Sequence, residues 1–129
     1  MRTKKTEGAK DVMSEAQEQR SLFQWANMAK GAYPALELLF AIPNGGRRDM
    51  IEARHLKETG VKPGVPDICL PVPVHHYTAL YIEMKRTKGG RVSEDQRGWI
   101  AALNRVGCLA VVCKGWEEAR TVILNYLSN

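Results

Sequence analysis

VPDICLPVPVHHYTALYIEMKR (Val65–Arg86) holds two short apolar runs, DICLP and TALYIEMK, joined by the proline-broken segment PVPVHHY. Runs of this length around a turn-rich joint predict a β-hairpin with a loose tip. Strand side chains alternate between faces, so Leu80, Ile82 and Met84 point one way while Tyr81, Glu83 and Lys85 point the other. The first set suits a core. The second carries a carboxylate and an ammonium, and buried charge is costly unless it is paired or binds an ion. Either that face meets water, or its charges act together.

Upstream, Ser14-Glu15-Ala16-Gln17 fits a capping box and opens a helix that runs to about Lys30, before Gly31 and Pro34. Its inward face reads Glu18, Leu22, Trp25, Ala29, which puts an acid in line with an apolar stripe. LELLFAI (Leu36–Ile42) is expected as a strand, closed by Pro43-Asn44-Gly45-Gly46. Asp49 to Thr59 reads as a helix, with Asp49 and Glu52 at capping-box spacing and Gly60 as its stop. Lys62 to Pro66 is a constrained loop into Asp67. Downstream come a basic loop (Lys88-Gly89-Gly90-Arg91), a helix capped by Ser93 and Gln96 that ends at Gly107, an apolar strand CLAVVC (Cys108–Cys113), and a closing helix Trp116–Leu127 with Trp116, Ala119, Ile123 and Tyr126 inward. The expected fold is α/β, a single mixed β-sheet flanked by helices. Its last strand returns through a helical crossover and so lies parallel to a neighbour. Residues 1–13 are expected as a flexible basic arm and 14–129 as one domain.

At 129 residues and 44% hydrophobic, the chain is long enough for a real core. No apolar run approaches a membrane span and the start is polar and basic, so a soluble protein without an export signal is expected. Cys69, Cys108 and Cys113 form no C-x-x-C pair and read as free thiols in a reducing cytoplasm. A net charge of +5 suits a polyanionic partner. Arg47, Arg48, Lys57, Lys62, Arg86, Lys88 and Arg91, with Asn44 and its glycines, form a candidate phosphate-contact set, against the plainer reading of a solvated face and a tight turn. His75 and His76, adjacent in a turn and pointing opposite ways, do not read as a metal site. Trp25, Trp99 and Trp116 fall at inward helical positions and are expected in the core.

The charges that defy the burial pattern are Glu18, Asp67, Glu83 and Lys85. Three carboxylates on one sheet face would repel unless a cation joined them. Hard divalent ions take one or two carboxylates plus water and phosphate oxygens. Lys85, two residues past Glu83, can bring its ammonium beside a metal-activated water. Those are the parts needed to hydrolyse a phosphodiester. The plainer reading is a surface ion pair, worth little to stability.

Pro66-Asp67 followed by Glu83-Met84-Lys85 resembles the PD-(D/E)XK nuclease signature, and the predicted αβββαβ order matches that fold's core, with the 49–59 helix as an insertion. FAIPNGG (40–46), GVKPGVPD (60–67), IEMKR (82–86), GGRVSEDQRGWIAAL (89–103) and the Gly107-led strand together resemble the VRR-NUC branch, the virus-type replication-repair nucleases, in the compact stand-alone form of phages and bacteria. The resemblance implies a Mg²⁺- or Mn²⁺-dependent DNA endonuclease in replication, recombination or repair. It implies Glu18, Asp67 and Glu83 as metal-binding acids with the Met84 carbonyl, Lys85 as catalytic lysine, and Gln96 beside the site, where that role competes with its cap. Glu15, one turn before Glu18, is the alternative first acid. The implied substrate is branched or structured DNA, cut by a homodimer in the manner of a Holliday-junction resolvase in a bacterial or phage-infected cell. Flap trimming, end trimming, restriction-type cleavage and a catalytically silent DNA-binding module are the alternatives.

Overall fold

A computed structural model describes residues 12–43 and 50–129. The first helix, α1 (Glu15–Ala29), starts at a complete capping box: Gln17 donates its amide N–H to the Ser14 hydroxyl at 3.1 Å, and its side-chain oxygen accepts the Ser14 N–H at 2.8 Å. The helix buries Glu18, Leu22 and Ala26, while Trp25 and Ala29 flank that stripe, half-buried against the core.

LELLFAI does not form the expected strand. Pro34–Leu38 is a turn of 3₁₀ helix, and only Phe40–Ala41 (β1) joins the sheet. Pro34 carries a preset φ at the helix start, and Leu36 and Leu39, three apart, both turn inward as a 3₁₀ repeat requires. Glu37, between them, stays exposed and pairs with Lys30 at 3.7 Å. A continuous apolar run concealed a period of three.

Helix α2 (Met50–Glu58) follows, and Gly60 ends it with φ +101°. Asp49 and its expected cap, like Asn44–Arg48 and residues 1–11 of the expected arm, lie outside the described residues. Strands β2 (Ile68–Leu70) and β3 (Leu80–Lys85) pair antiparallel, with Ile68 opposite Ile82 and Leu70 opposite Leu80. The hairpin tip closes through the Val74 N–H on the Tyr77 carbonyl, 2.8 Å. His75 and His76 do not point apart there; their rings meet edge to face, 4.3 Å between centroids.

Helix α3 (Glu94–Arg105) carries the chain across to β4 (Leu109–Lys114), which pairs parallel with β3, Glu83 opposite Val112 and Lys85 opposite Lys114. Helix α4 (Trp116–Leu127) closes the fold. The sheet is mixed, in the order β1-β2-β3-β4. Leu80, Ile82 and Met84 pack with Leu22 and Ala26 of α1 and with Ala119, Ile123 and Tyr126 of α4 into the core. The Tyr126 hydroxyl donates to the Val72 carbonyl at 2.7 Å, which ties α4 to the hairpin. Cys69, Cys108 and Cys113 are free thiols, and among the described residues no helix is long and apolar enough to cross a membrane.

Trp99 is a further departure from expectation. Its flank of α3 faces the 61–63 loop, and it lines a surface cavity of about 640 Å³ with Val61, Lys62 and Pro63. That loop is pressed onto α3. A Cβ on Gly64 would lie 2.6 Å from the Asp95 main-chain carbon, and Gly64 has φ +88°. Gly64→Ala is therefore expected to cost about 1–3 kcal/mol, a fall in melting temperature of about 5–10 °C in a thermal unfolding scan.

Candidate active site

Asp67 stands just before β2, held by its carbonyl, which accepts the Ile42 N–H from the β1 side at 2.7 Å. Because Ile68 pairs with Ile82 in an antiparallel register, Asp67 falls opposite Glu83. Its Oδ2 accepts the Met84 N–H at 2.8 Å, fixing the carboxylate against the strand that carries the other candidates. The Met84 side chain is in the core, so only the main chain of that residue borders the site.

Glu83 is 1% exposed and Lys85 5%. The charged face of β3 is thus buried, and the surface-ion-pair reading fails. Glu83 Oε2 accepts from Gln96 Nε2 at 2.9 Å and lies 3.5 Å from Lys85 Nζ. Its Oε1 is buried and has no hydrogen-bond donor among the described residues. Burial pushes the Glu83 carboxyl up to about 8, and the neighbouring Asp67 carboxylate adds to the rise; Lys85 partly offsets both.

Gln96 makes the cap contact and a contact to Glu83 at once, where the two were expected to compete. Its oxygen accepts the Ser93 N–H at 2.9 Å in the capping box of α3, while its amide nitrogen donates to Glu83. A carboxamide has an acceptor at one end and donors at the other, so one side chain serves the cap and the acid together.

The first helix contributes differently from expectation. Glu15, 46% exposed at its side chain, reaches Lys85 Nζ at 3.9 Å. Glu18 is 3% exposed, and its Oε1 accepts the Trp116 N–H at 2.8 Å, at the start of α4. The expected set of three metal-binding acids is not assembled: among the described residues no group of three or more His, Cys, Asp or Glu side chains could hold a metal together. Two acids do meet, Asp67 and Glu83.

A divalent cation fits that pair. The donors are hard oxygens, two carboxylates suffice for an ion that keeps several waters, and the orphaned Glu83 Oε1 is a buried acceptor in need of a partner. Of the candidate DNA contacts, Lys62, Lys88 and Arg91 are exposed. Arg86 is exposed too, and its guanidinium donates to the Gly89 carbonyl at 3.3 Å, bracing the basic loop. Asn44, Arg47 and Arg48 lie outside the described residues.

The Glu18–Trp116 bond joins residues 98 apart and has no local motif. One signal for it was present: Gly115, at the cap position of a long helix, has no side chain with which to cap it.

Comparison with curated proteins found no match. Among solved structures, one described as a VRR_NUC domain protein is similar to this chain with a TM-score of 0.79 and 26% identity, over 92% of this chain and 91% of that one. The model of the VRR-NUC domain, a nuclease domain of the PD-(D/E)XK type that acts on DNA, matches residues 4–117. The chain belongs to the VRR-NUC family.

Proposed function

We propose that the protein is a divalent-metal-dependent endodeoxyribonuclease that cleaves branched DNA as a homodimer. The observation that carries the nuclease reading is the meeting of Asp67, Lys85 and Gln96 at the buried Glu83 carboxyl, whose Oε2 takes Gln96 and Lys85 while its Oε1 has no donor among the described residues. Asp67, Glu83 and the Met84 carbonyl would hold Mg²⁺ or Mn²⁺, which when bound supplies charge to the scissile phosphate and acidifies water. Gln96 keeps the Glu83 carboxylate turned toward the site. Lys85, held between Glu83 and Glu15, donates a hydrogen bond that orients the attacking water in line with the P–O3′ bond. The 3′ oxygen leaves and the phosphate stays on the 5′ end. The choice of branched DNA and the homodimer rest on the family's small stand-alone members, and the net charge of +5 suits the polyanion.

The test is cleavage of matched four-way junction, flap, plain duplex and single-stranded DNA with Mg²⁺, Mn²⁺ or chelator, with product ends mapped on every strand. Symmetric paired nicks at the junction with 5′-phosphates are the expected result. Cuts on one strand only would replace the resolvase-like reading with flap or end trimming, and no nicking of any substrate with either ion would sink the nuclease itself. Asp67→Asn is expected to lower the rate by about a thousandfold or more and to weaken Mn²⁺ binding in calorimetry, because it removes charge from one of the two acids that would hold the ion.

A further inference from the structure

Glu18 is buried, and a buried carboxylate persists only with good partners. Its described partner is the Trp116 amide at 2.8 Å. Trp116 is the first residue of α4, and the first amides of any helix have no partner within it. Gly115, at the cap position, cannot supply one, so α4 is capped in trans by a side chain from α1.

The capped junction is bound to the active site through its main chain. The Gly115 N–H donates to the Lys85 carbonyl at 2.9 Å, continuing the β3–β4 ladder by one step. Gly115 has φ +93°, and a Cβ there would lie 2.7 Å from Thr87 Cγ2, just past Lys85. Glu18 Oε1 and Oε2 lie 3.6 and 3.7 Å from that same Cβ position, in ordinary contact with the junction. On α1, Glu15 lies three residues before Glu18, so the two share a face, and Glu15 is the acid that reaches Lys85 Nζ.

We infer that Glu18 is a positioning residue, not a metal ligand: by capping α4 it fixes α1 against the Lys85–Gly115 junction and so sets the place of Lys85 and Glu15. The inference deepens the nuclease reading and rests on it for its effect on rate, while the clamp itself is open to a direct structural measurement.

The experiment compares the parent with Glu18→Ala and Glu18→Gln, since a glutamine oxygen can accept the same amide proton. Amide exchange at Trp116, followed by NMR, is expected to quicken by about fivefold to tenfold in Glu18→Ala and to return toward the parent in Glu18→Gln. Mn²⁺ affinity, measured by calorimetry without DNA, is expected to stay within about threefold of the parent in both, below the cost of losing a ligand's own support, because Asp67 and Glu83 are held by the Met84 N–H and Gln96 and not by the clamp. In cleavage, kcat of Glu18→Ala is expected to fall by about tenfold to a hundredfold with KM unchanged, and Glu18→Gln to recover most of it. A loss of Mn²⁺ affinity of about tenfold or more in Glu18→Gln would make Glu18 a ligand and overturn the inference. Unchanged Trp116 exchange in Glu18→Ala would overturn it as well. If the parent itself binds no Mn²⁺ and cuts no DNA, the nuclease reading falls, and the Trp116 exchange still decides the clamp.

Discussion

Lys85→Ala is expected to lower the cleavage rate by about a thousandfold while leaving DNA affinity nearly unchanged. The ammonium is buried, 3.5 Å from Glu83 Oε2 and 3.9 Å from Glu15 Oε2, so it has little surface to offer the phosphate backbone at large. Its effect is therefore expected at the reacting atoms alone. A second loss follows from the same position: without Lys85, Glu83 keeps Asp67 as neighbour but has no cation to offset it, so its carboxyl titrates higher still. Lys85→Arg keeps the charge but replaces a compact ammonium with a wide planar group in a closed space, and is expected to recover less than about a tenth of the parent rate. Single-turnover cleavage and DNA titrations of the three proteins check this. Parental cutting by Lys85→Ala would remove the lysine from the mechanism.

Glu83→Gln is expected to abolish cleavage and at the same time to stabilise the metal-free fold. The folded carboxyl titrates at about 8, above its ordinary 4.5. At low pH it is protonated in both the folded and unfolded chains, and its burial carries no ionisation cost. As pH rises above the ordinary value, the unfolded chain releases the proton and the folded chain keeps it, so stability falls until pH passes about 8 and then levels off. Glutamine resembles the protonated acid at every pH. The variant is therefore expected to match the parent near pH 4.5 and to exceed it by about 1–3 kcal/mol at pH 8.5, less than the shift alone would give because Lys85 loses its partner. Urea unfolding in chelator across that range measures the gap. Equal stabilities at pH 8.5 would show that the parent's acid is not strained. The two readouts oppose each other, as they should where an active site is built at the expense of stability.

Much of this was legible in the residues. The alternation in ALYIEMK separated core from site, and the structure honours it: Ile82 and Met84 enter the core while Glu83 meets Gln96. Helices with local punctuation, such as Ser14 with Gln17 and Ser93 with Gln96, lay where their caps put them, because a capping box is satisfied within four residues. LELLFAI misled because an apolar run has no period of its own; only the depth of Leu36 and Leu39 shows its helical turn. Trp99 sat at an inward phase of α3, yet the neighbour on that flank is a loop, which no periodicity reveals. The first-helix acids were the hardest to divide. Glu15 and Glu18 are one turn apart, and what separates them is the start of α4, distant in sequence, where Gly115 offers no cap and the Trp116 N–H donates to the Glu18 carboxylate. Contacts of that range leave no spacing to read.

The starts of three helices gather round one end of β3: Glu15 of α1 beside Lys85, Gln96 of α3 on Glu83, and Trp116 of α4 on Glu18. Aligned peptide dipoles give each such end about half a positive charge. The acids of the site thus stand in a field that is built from backbone, varies little with pH, and cannot be stripped by mutating a side chain. Being partly buried, that field is screened by salt far less than the exposed lysines and arginines are. Raising ionic strength is therefore expected to weaken DNA capture by the surface cations well before it disturbs the charges around Glu83 and Lys85.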